Sequence, residues 1–395
     1  MSPSPLRIAL ILGLLSAVGP FAIDMYLPAM PTIATDLGTS MQGVQGTIVS
    51  YFIAFGVAQM IYGPWADQAG RKVPLYAGLG VFTLGTLICA LAPTVGWLIA
   101  GRAVQGLGGA AVMVVPRAVI RDLATGHAAT KMMASIMIVI SISPMLAPLA
   151  GSGLLAIADW RWVFWALLLA AGLSLFLIRF ALPETLGAAD RVPFEGAAMR
   201  TGFARLITDR GFLILTFLGG FAMASFFVFI ASASFVYTRQ FGLTPTQFSL
   251  AFALNAVGFF AASQFAAGMG QRFGALRVVG VATMGFAAVE IALFGAALVG
   301  FISLPLTMAG LFVGNAFLGL VIPTCMVLAL EDHGDNAGLA SSLGGTMQML
   351  IGAAMMGGAS VFLDGTVVPM LGAIAACAVL AFGFSRMIPR QGVMA

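Results

Sequence analysis

The chain is written as long apolar runs separated by short polar breaks, and each run has the length of a membrane span. A helix that crosses a bilayer needs roughly 20 apolar residues. Breaking the chain at Gly, Pro and charge clusters predicts twelve spans, over residues 7–29, 42–62, 73–93, 97–117, 133–156, 162–182, 211–236, 246–268, 276–300, 305–330, 337–362 and 366–387. The one long polar interval divides them six and six. The predicted organisation is therefore all-α: an N-terminal six-helix bundle (1–183), a cytoplasmic linker (184–210) and a C-terminal six-helix bundle (211–395). An offset of 204 residues aligns Gly38 with Gly242, Phe55 with Phe259, Ala58 with Ala262 and Gly70 with Gly274 without a gap. In so apolar a sequence these matches carry little weight alone. With the six-plus-six division they fit two parallel halves related by an axis along the membrane normal.

Composition agrees. Hydrophobic residues make up 61% of the chain and charged residues 8%, against about 25% charged in soluble domains, so water is not the solvent for most of the surface. The net charge of +4 does not mark a nucleic-acid binder, because the basic residues sit between apolar runs and form no patch. With the N-terminus inside, fifteen of the Lys and Arg residues, from Arg7 to Arg390, fall at the cytoplasmic side; Arg161 and Arg239 fall outside, and Arg102 lies within a span. That bias predicts cytoplasmic termini. Cys89, Cys325 and Cys377 lie in apolar runs at no metal-like spacing, so neither a disulfide nor a metal site is expected. The first apolar run continues through Asp24-Met-Tyr-Leu-Pro28 without a small-residue cleavage site and reads as a span, not a signal peptide.

A few polar residues inside the spans carry the candidate chemistry. Asp24 follows Arg7 by 17 residues, which puts it ~25 Å from the inner surface at 1.5 Å per residue. An acid there costs about 3 kcal/mol unless it is paired, hydrated or protonated. It is either an acid at the outer interface beside Tyr26 and Pro28, or a proton-exchanging carboxylate. Arg102 reaches a similar level from the opposite direction, ~8 Å into the fourth span from Trp97. It stays charged at any relevant pH, as a fixed field or as half of a structural pair. Gln105, one turn on, is within reach of either group.

Gly63-Pro-Trp-Ala-Asp67-Gln-Ala-Gly70-Arg71-Lys72 joins the second and third spans. Gly70 permits a tight turn, while Asp67 and Arg71 supply opposite charges for an inter-helix lock; an ordinary solvated loop is the plain alternative. Arg102-Ala-Val-Gln105-Gly106-Leu-Gly108-Gly109 offers small residues for close helix approach. With no preceding strand, it is not a nucleotide loop. In the fifth span, Pro144 and Pro148 remove backbone donors beside Gly151 and predict a hinge.

This set of motifs resembles the major facilitator superfamily, and within it the drug:proton antiporters of the bicyclomycin and chloramphenicol resistance group. Asp24-Met-Tyr-Leu-Pro28 is similar to that group's first-span signature. Residues 63–72 resemble the superfamily's loop motif, residues 102–111 its fourth-span Arg-x-x-Gln-Gly motif, and residues 147–152 a variant of the fifth-span antiporter motif. Gln68 departs from the usual Arg of the loop, and Ala147-Pro148-Leu-Ala-Gly151-Ser152 departs from the fuller Gly-Pro-x-x-Gly-Gly.

The resemblance implies a multi-pass protein of a bacterial inner membrane that exports a small lipophilic drug in exchange for protons, working as a monomer without a cofactor. Asp24 would be the proton-linked acid and Arg102 its coupling partner. Arg71 would meet Asp122, and Asp67 would face Asn336-Ala337-Gly338. The first, fourth, seventh and tenth spans would line the cavity, bringing Tyr26, Met113, Met223, Phe226, Phe227 and Asn315 toward substrate. Aromatic stripes serve packing equally well, as do the 23 methionines. Glu290, in the ninth span, reads as paired with a polar neighbour or interfacial, and Glu331-Asp332-His333-Gly-Asp335 as a solvated loop. The alternative on the same fold is a proton-coupled carrier of a small metabolite. An enzyme is not expected: the chain has no His-Glu-x-x-His and no phosphate loop with Lys, and its histidines are His127 and His333.

Overall fold

In lipid the backbone has only itself as a hydrogen-bond partner, and a helix satisfies it within one segment. The computed structural model describes residues 5–124, 126–191, 196–331, 333 and 337–388, and among these every regular element is a helix. Asp332, Asp335, Asn336 and Arg390 lie outside the described residues. In chain order the helices are α1 (Pro5–Asp24), α2 (Met30–Asp36), α3 (Met41–Ala69), α4 (Lys72–Ala90), α5 (Val95–Gly109), α6 (Ala111–Leu123), α7 (Gly126–Leu155) and α8 (Arg161–Phe180). They continue with α9 (Gly196–Thr208), α10 (Arg210–Arg239), α11 (Pro245–Phe273), α12 (Ala275–Leu298), α13 (Leu304–Glu331), α14 (Ala337–Ser360) and α15 (Val367–Met387). The pairs α1 with α2 and α5 with α6 are interrupted single spans. Among the described residues, twelve segments are thus long and apolar enough to cross a membrane.

Three features differ from the expected pattern. The first span does not end at residue 29 but runs to Asp36, with a break after Asp24. Pro28 cannot donate to the Asp24 carbonyl four residues before it, nor Pro31 to that of Leu27, so the helix stops and restarts. Residues 63–69, expected in a loop, are the last turns of α3, and the chain reverses at Gly70 with φ of 90°. That conformation costs a residue with a Cβ what it does not cost glycine. The linker carries the helix α9, and Asp209 Oδ1 accepts from the Phe212 N–H (2.7 Å) at the start of α10.

The 204-residue offset has a structural counterpart. Shifted by it, the bounds of α3 (41–69) become those of α11 (245–273). The aligned glycines match in backbone conformation as well: Gly38 and Gly242 have φ of 57° and 68°, and Gly70 and Gly274 have 90° and 87°.

By contacts the chain forms two compact units, residues 1–194 with 233–253, and residues 195–232 with 254–395. In the first, α1 lies along α7, and α5 is packed between α3 and α4. In the second, α12 packs against α13 and α15 around Leu218, Val279, Phe286, Leu318 and Ala378.

Candidate functional site

Asp24 closes α1 and is 4% exposed. The break after it is fixed on the far side by α7. A Cβ on Gly151 would run into the Met25 carbonyl, so α7 approaches the break as closely as only glycine permits. Helix α7 continues through Pro144 and Pro148, and the Pro148 carbonyl accepts a hydrogen bond from Ser249 Oγ at 2.9 Å within the same unit.

Arg102 is fully buried in α5. Its Nη1 donates to the Ala22 carbonyl (2.8 Å) and to Gln105 Oε1 (2.5 Å), while Gln105 Nε2 donates to Thr86 Oγ1 (2.8 Å). The guanidinium lies between two rings, its Cζ 4.5 Å from the Tyr51 centroid and 4.8 Å from that of Tyr26. Desolvated contacts of this kind are worth ~2 kcal/mol each. Nε and Nη2 make no hydrogen bond, and neither does the Tyr51 hydroxyl. Tyr26 shares a hydrogen bond with Thr47 Oγ1 (2.9 Å). The structure therefore brings Arg102 and Gln105 together and sets them against the backbone two residues before Asp24. Among the described residues no ion pair joins Asp24 to Arg102 within 4.0 Å.

The second constellation surrounds the Gly70 turn. Arg71, 3% exposed, grips Asp122 with two parallel bonds, Nε to Oδ2 at 2.7 Å and Nη2 to Oδ1 at 2.9 Å, and reaches Asp67 Oδ1 with Nη1 at 2.6 Å. Burial opposes the guanidinium charge, but the carboxylates of Asp122 and Asp67 outweigh it and hold the pKa of Arg71 above the ordinary arginine value. Asp122 also accepts from Thr185 Oγ1 (3.0 Å). Gly63 lies inside α3 with open space where a Cβ would project.

Glu184 completes this corner, and nothing in the sequence marked it. Its Oε1 accepts from the N–H groups of Arg71 (2.8 Å), Thr185 (3.0 Å) and Leu186 (3.2 Å), and its Oε2 from that of Lys72 (3.1 Å). It thus caps the start of α4 with the segment that follows α8. Burial raises the cost of its charge, yet the four backbone donors win and hold its carboxyl below the usual value. Tyr51 and Thr86 were also missed: an aromatic or a threonine inside an apolar run carries no signal of which neighbour it serves.

The residues predicted near substrate sit in differing surroundings. Met113 packs over Gly19 of α1. Met223 and Phe226 are half-buried, and Phe226 stacks on Phe259 with centroids 6.0 Å apart. Phe227 fills the place of a missing side chain at Gly352. Asn315 is 5% exposed. Next to it on α13, Gly314 makes room for Glu290 Oε1, while Glu290 Oε2 is buried with no hydrogen-bond partner. Glu290 is accordingly buried, and not paired through that oxygen.

Residues 12–356 match the family described as the Major Facilitator Superfamily. The chain belongs to the major facilitator superfamily. A bicyclomycin resistance protein homolog of Haemophilus influenzae is 32% identical over 378 residues, covering 94% of this chain and 93% of the relative. Multidrug resistance protein D of Escherichia coli is 30% identical over 364 residues, covering 91% and 90%. Both extend the resemblance to proteins named for drug resistance over nearly the whole chain. Among solved structures, a D-xylose-proton symporter overlays with a TM-score of 0.77 at 16% identity (96% of this chain, 97% of that one). The human organic anion transporter MFSD10 overlays at 0.72 with 20% identity (97% and 100%). At such identities the likeness speaks for the fold alone. This major facilitator protein is a transporter, not an enzyme, and twelve segments among its described residues are long and apolar enough to cross a membrane.

Proposed function

We propose that this major facilitator protein is an efflux transporter that expels small lipophilic drugs in exchange for protons. The relatives named for bicyclomycin and multidrug resistance support the substrate class. The observation that carries the coupling is the placement of Asp24 at the break in the first span, beside a fully buried arginine that keeps two donors unused. Asp24 takes a proton from outside and becomes neutral. On the inner side the proton leaves, and the drug occupies the cavity in its place. The two six-helix halves alternate access about that site, with both termini in the cytoplasm and one chain sufficient. The inward proton contributes about 2.3 kcal/mol per 100 mV for each net charge moved, plus its pH term. Coupling requires that proton and drug disfavour each other's occupancy, reciprocally by linkage.

Of the residues predicted near substrate, Met113, Met223 and Phe226 are half-buried, which supports contact with an apolar drug. In this reading Arg71, Asp67 and Asp122 hold the outward-open state, and the turn around Pro144, Pro148 and Gly151 transmits the change. The test is proton release from purified protein on addition of drugs, with bicyclomycin first, alongside accumulation in everted vesicles. Wild type releases protons and accumulates drug under a gradient, and Asp24→Asn does neither while keeping its melting temperature. Release that survives Asp24→Asn removes the acid from the mechanism.

A further inference from the structure

A cavity of about 600 Å³ opens between the first turns of α12 and the last turns of α15, and nothing in the drug-export reading uses it. Its walls change character along their length. Arg277 and Arg386 stand at one end with Ser385, and Val281, Met284 and Phe382 line the remainder. Both arginines are exposed, and among the described residues neither meets a carboxylate within 4.0 Å. Among the described residues no acid lines the cavity. Two unneutralised guanidinium groups facing one space repel each other unless an anion joins them.

The apolar wall selects which anion. From Arg277 to Met284 is seven residues, ~10 Å along α12, and on this stretch Val281 and Met284 are 54% and 53% exposed. The shape is a charged mouth leading into an apolar trough that runs with the helices. A free inorganic anion satisfies the mouth and leaves the trough empty, whereas an anionic glycerophospholipid satisfies both. Its phosphate takes the bidentate donors that guanidinium groups offer, and an acyl chain lies over Val281 and Met284. Basic pockets between spans at a membrane surface are the setting in which acidic headgroups bind.

We propose that the α12–α15 groove is a binding site for one anionic phospholipid, held by Arg277 and Arg386. Its assignment to the cytoplasmic leaflet rests on the proposed orientation; the site itself does not.

The test is native mass spectrometry of the delipidated full chain titrated with phosphatidylglycerol, with phosphatidylcholine and with inorganic phosphate. One phosphatidylglycerol is expected to bind in preference to phosphatidylcholine. Arg277→Gln or Arg386→Gln should weaken it about fivefold and the pair about thirtyfold, as one surface charge each implies. Gly280→Leu provides a second arm. A Cβ at Gly280 meets open space, so leucine fills the trough without disturbing packing and should weaken lipid binding with both arginines intact. Equal retention of the two lipids, or a double variant that binds like wild type, overturns the proposal. Competition by millimolar phosphate together with indifference to Gly280→Leu assigns the mouth to a free anion and overturns the lipid. None of these outcomes depends on proton release or on Asp24, so the site and the transport reading fail separately.

Discussion

The corner around Arg71 separates distance from strength. Its shortest contact is with Asp67, at 2.6 Å, and its bonds to Asp122 are 2.7 and 2.9 Å. Distance alone ranks Asp67 first, and burial reverses the order. The Asp67 side chain is 43% exposed and that of Asp122 is 12% exposed, against 4% for Arg71. The Asp67 pair is a single i,i+4 contact open to solvent, which is worth about 0.3–0.5 kcal/mol. The Asp122 pair is bidentate and largely desolvated, with one carboxylate oxygen held in addition by Thr185. Coupling there should reach about 2–3 kcal/mol, the upper range for residues in one buried network.

Two double-mutant cycles measure this, Arg71→Gln with Asp122→Asn and Arg71→Gln with Asp67→Asn, read as unfolding free energies in mixed micelles. The Arg71 backbone bond to Glu184 survives every variant, because it uses the main-chain N–H. A coupling to Asp67 equal to or above that to Asp122, or one near zero for Asp122, refutes the ranking by burial.

Three further outcomes follow from the same corner and from Asp24's neighbours. Tyr26→Phe should cost about 1 kcal/mol through the lost bond to Thr47, whereas Tyr51→Phe should be neutral because its hydroxyl has no partner; thermal melts of the two variants compare them directly. Gly151→Ala should destabilise by about 1–3 kcal/mol, since its methyl meets the Met25 carbonyl, while Gly153→Ala faces open space and should gain up to about 1 kcal/mol from helix propensity. Opposite signs in unfolding titrations are expected, and equal signs count against the close approach. Glu184 has a folded pKa below its ordinary 4.5, so its contribution is complete above that value and is lost as pH falls through the folded pKa. Acid should release the segment after α8 from α4, and Glu184→Gln should remove the pH dependence; amide exchange at Arg71 and Lys72, corrected for intrinsic rates, reports both.

Much of the architecture was legible because bilayer thickness sets the length of each apolar run. What was misjudged sits at the edges. Residues 63–69 carry Asp67 and Gln68 and read as loop, yet α3 keeps its helix beyond the apolar run, with Trp65 stacked on Tyr62 at 5.8 Å. The break after Asp24 was written in Pro28 and Pro31, but an apolar pattern averages over backbone donors and hides it. Arg71 and Asp122 were paired in advance through the resemblance. Glu184 was not, because it serves main-chain N–H groups, which every residue but proline possesses. The repeat shows the reverse: four matched residues meant little until matched φ values and helix bounds stood beside them.

Arg102 decides what Asp24 is free to do. A buried arginine needs compensation, and the usual source is a carboxylate. Here the Ala22 carbonyl, Gln105 and two aromatic faces take that role. Two π contacts at ~2 kcal/mol each and two hydrogen bonds from a charged donor at about 1.5–3 kcal/mol each offset much of the burial cost without an acid. In the proposed cycle this matters for Asp24. A carboxylate already committed as the structural counter-ion of Arg102 would have to break that pair each time it took a proton, which costs about 3–5 kcal/mol, more than 100 mV returns per charge. With Arg102 held by other means, the proposed proton exchange at Asp24 proceeds without that cost. Arg102→Lys tests this separation: it keeps the charge but loses the planar fit between the two tyrosine rings. It should lower the melting temperature strongly while leaving drug-triggered proton release tied to Asp24.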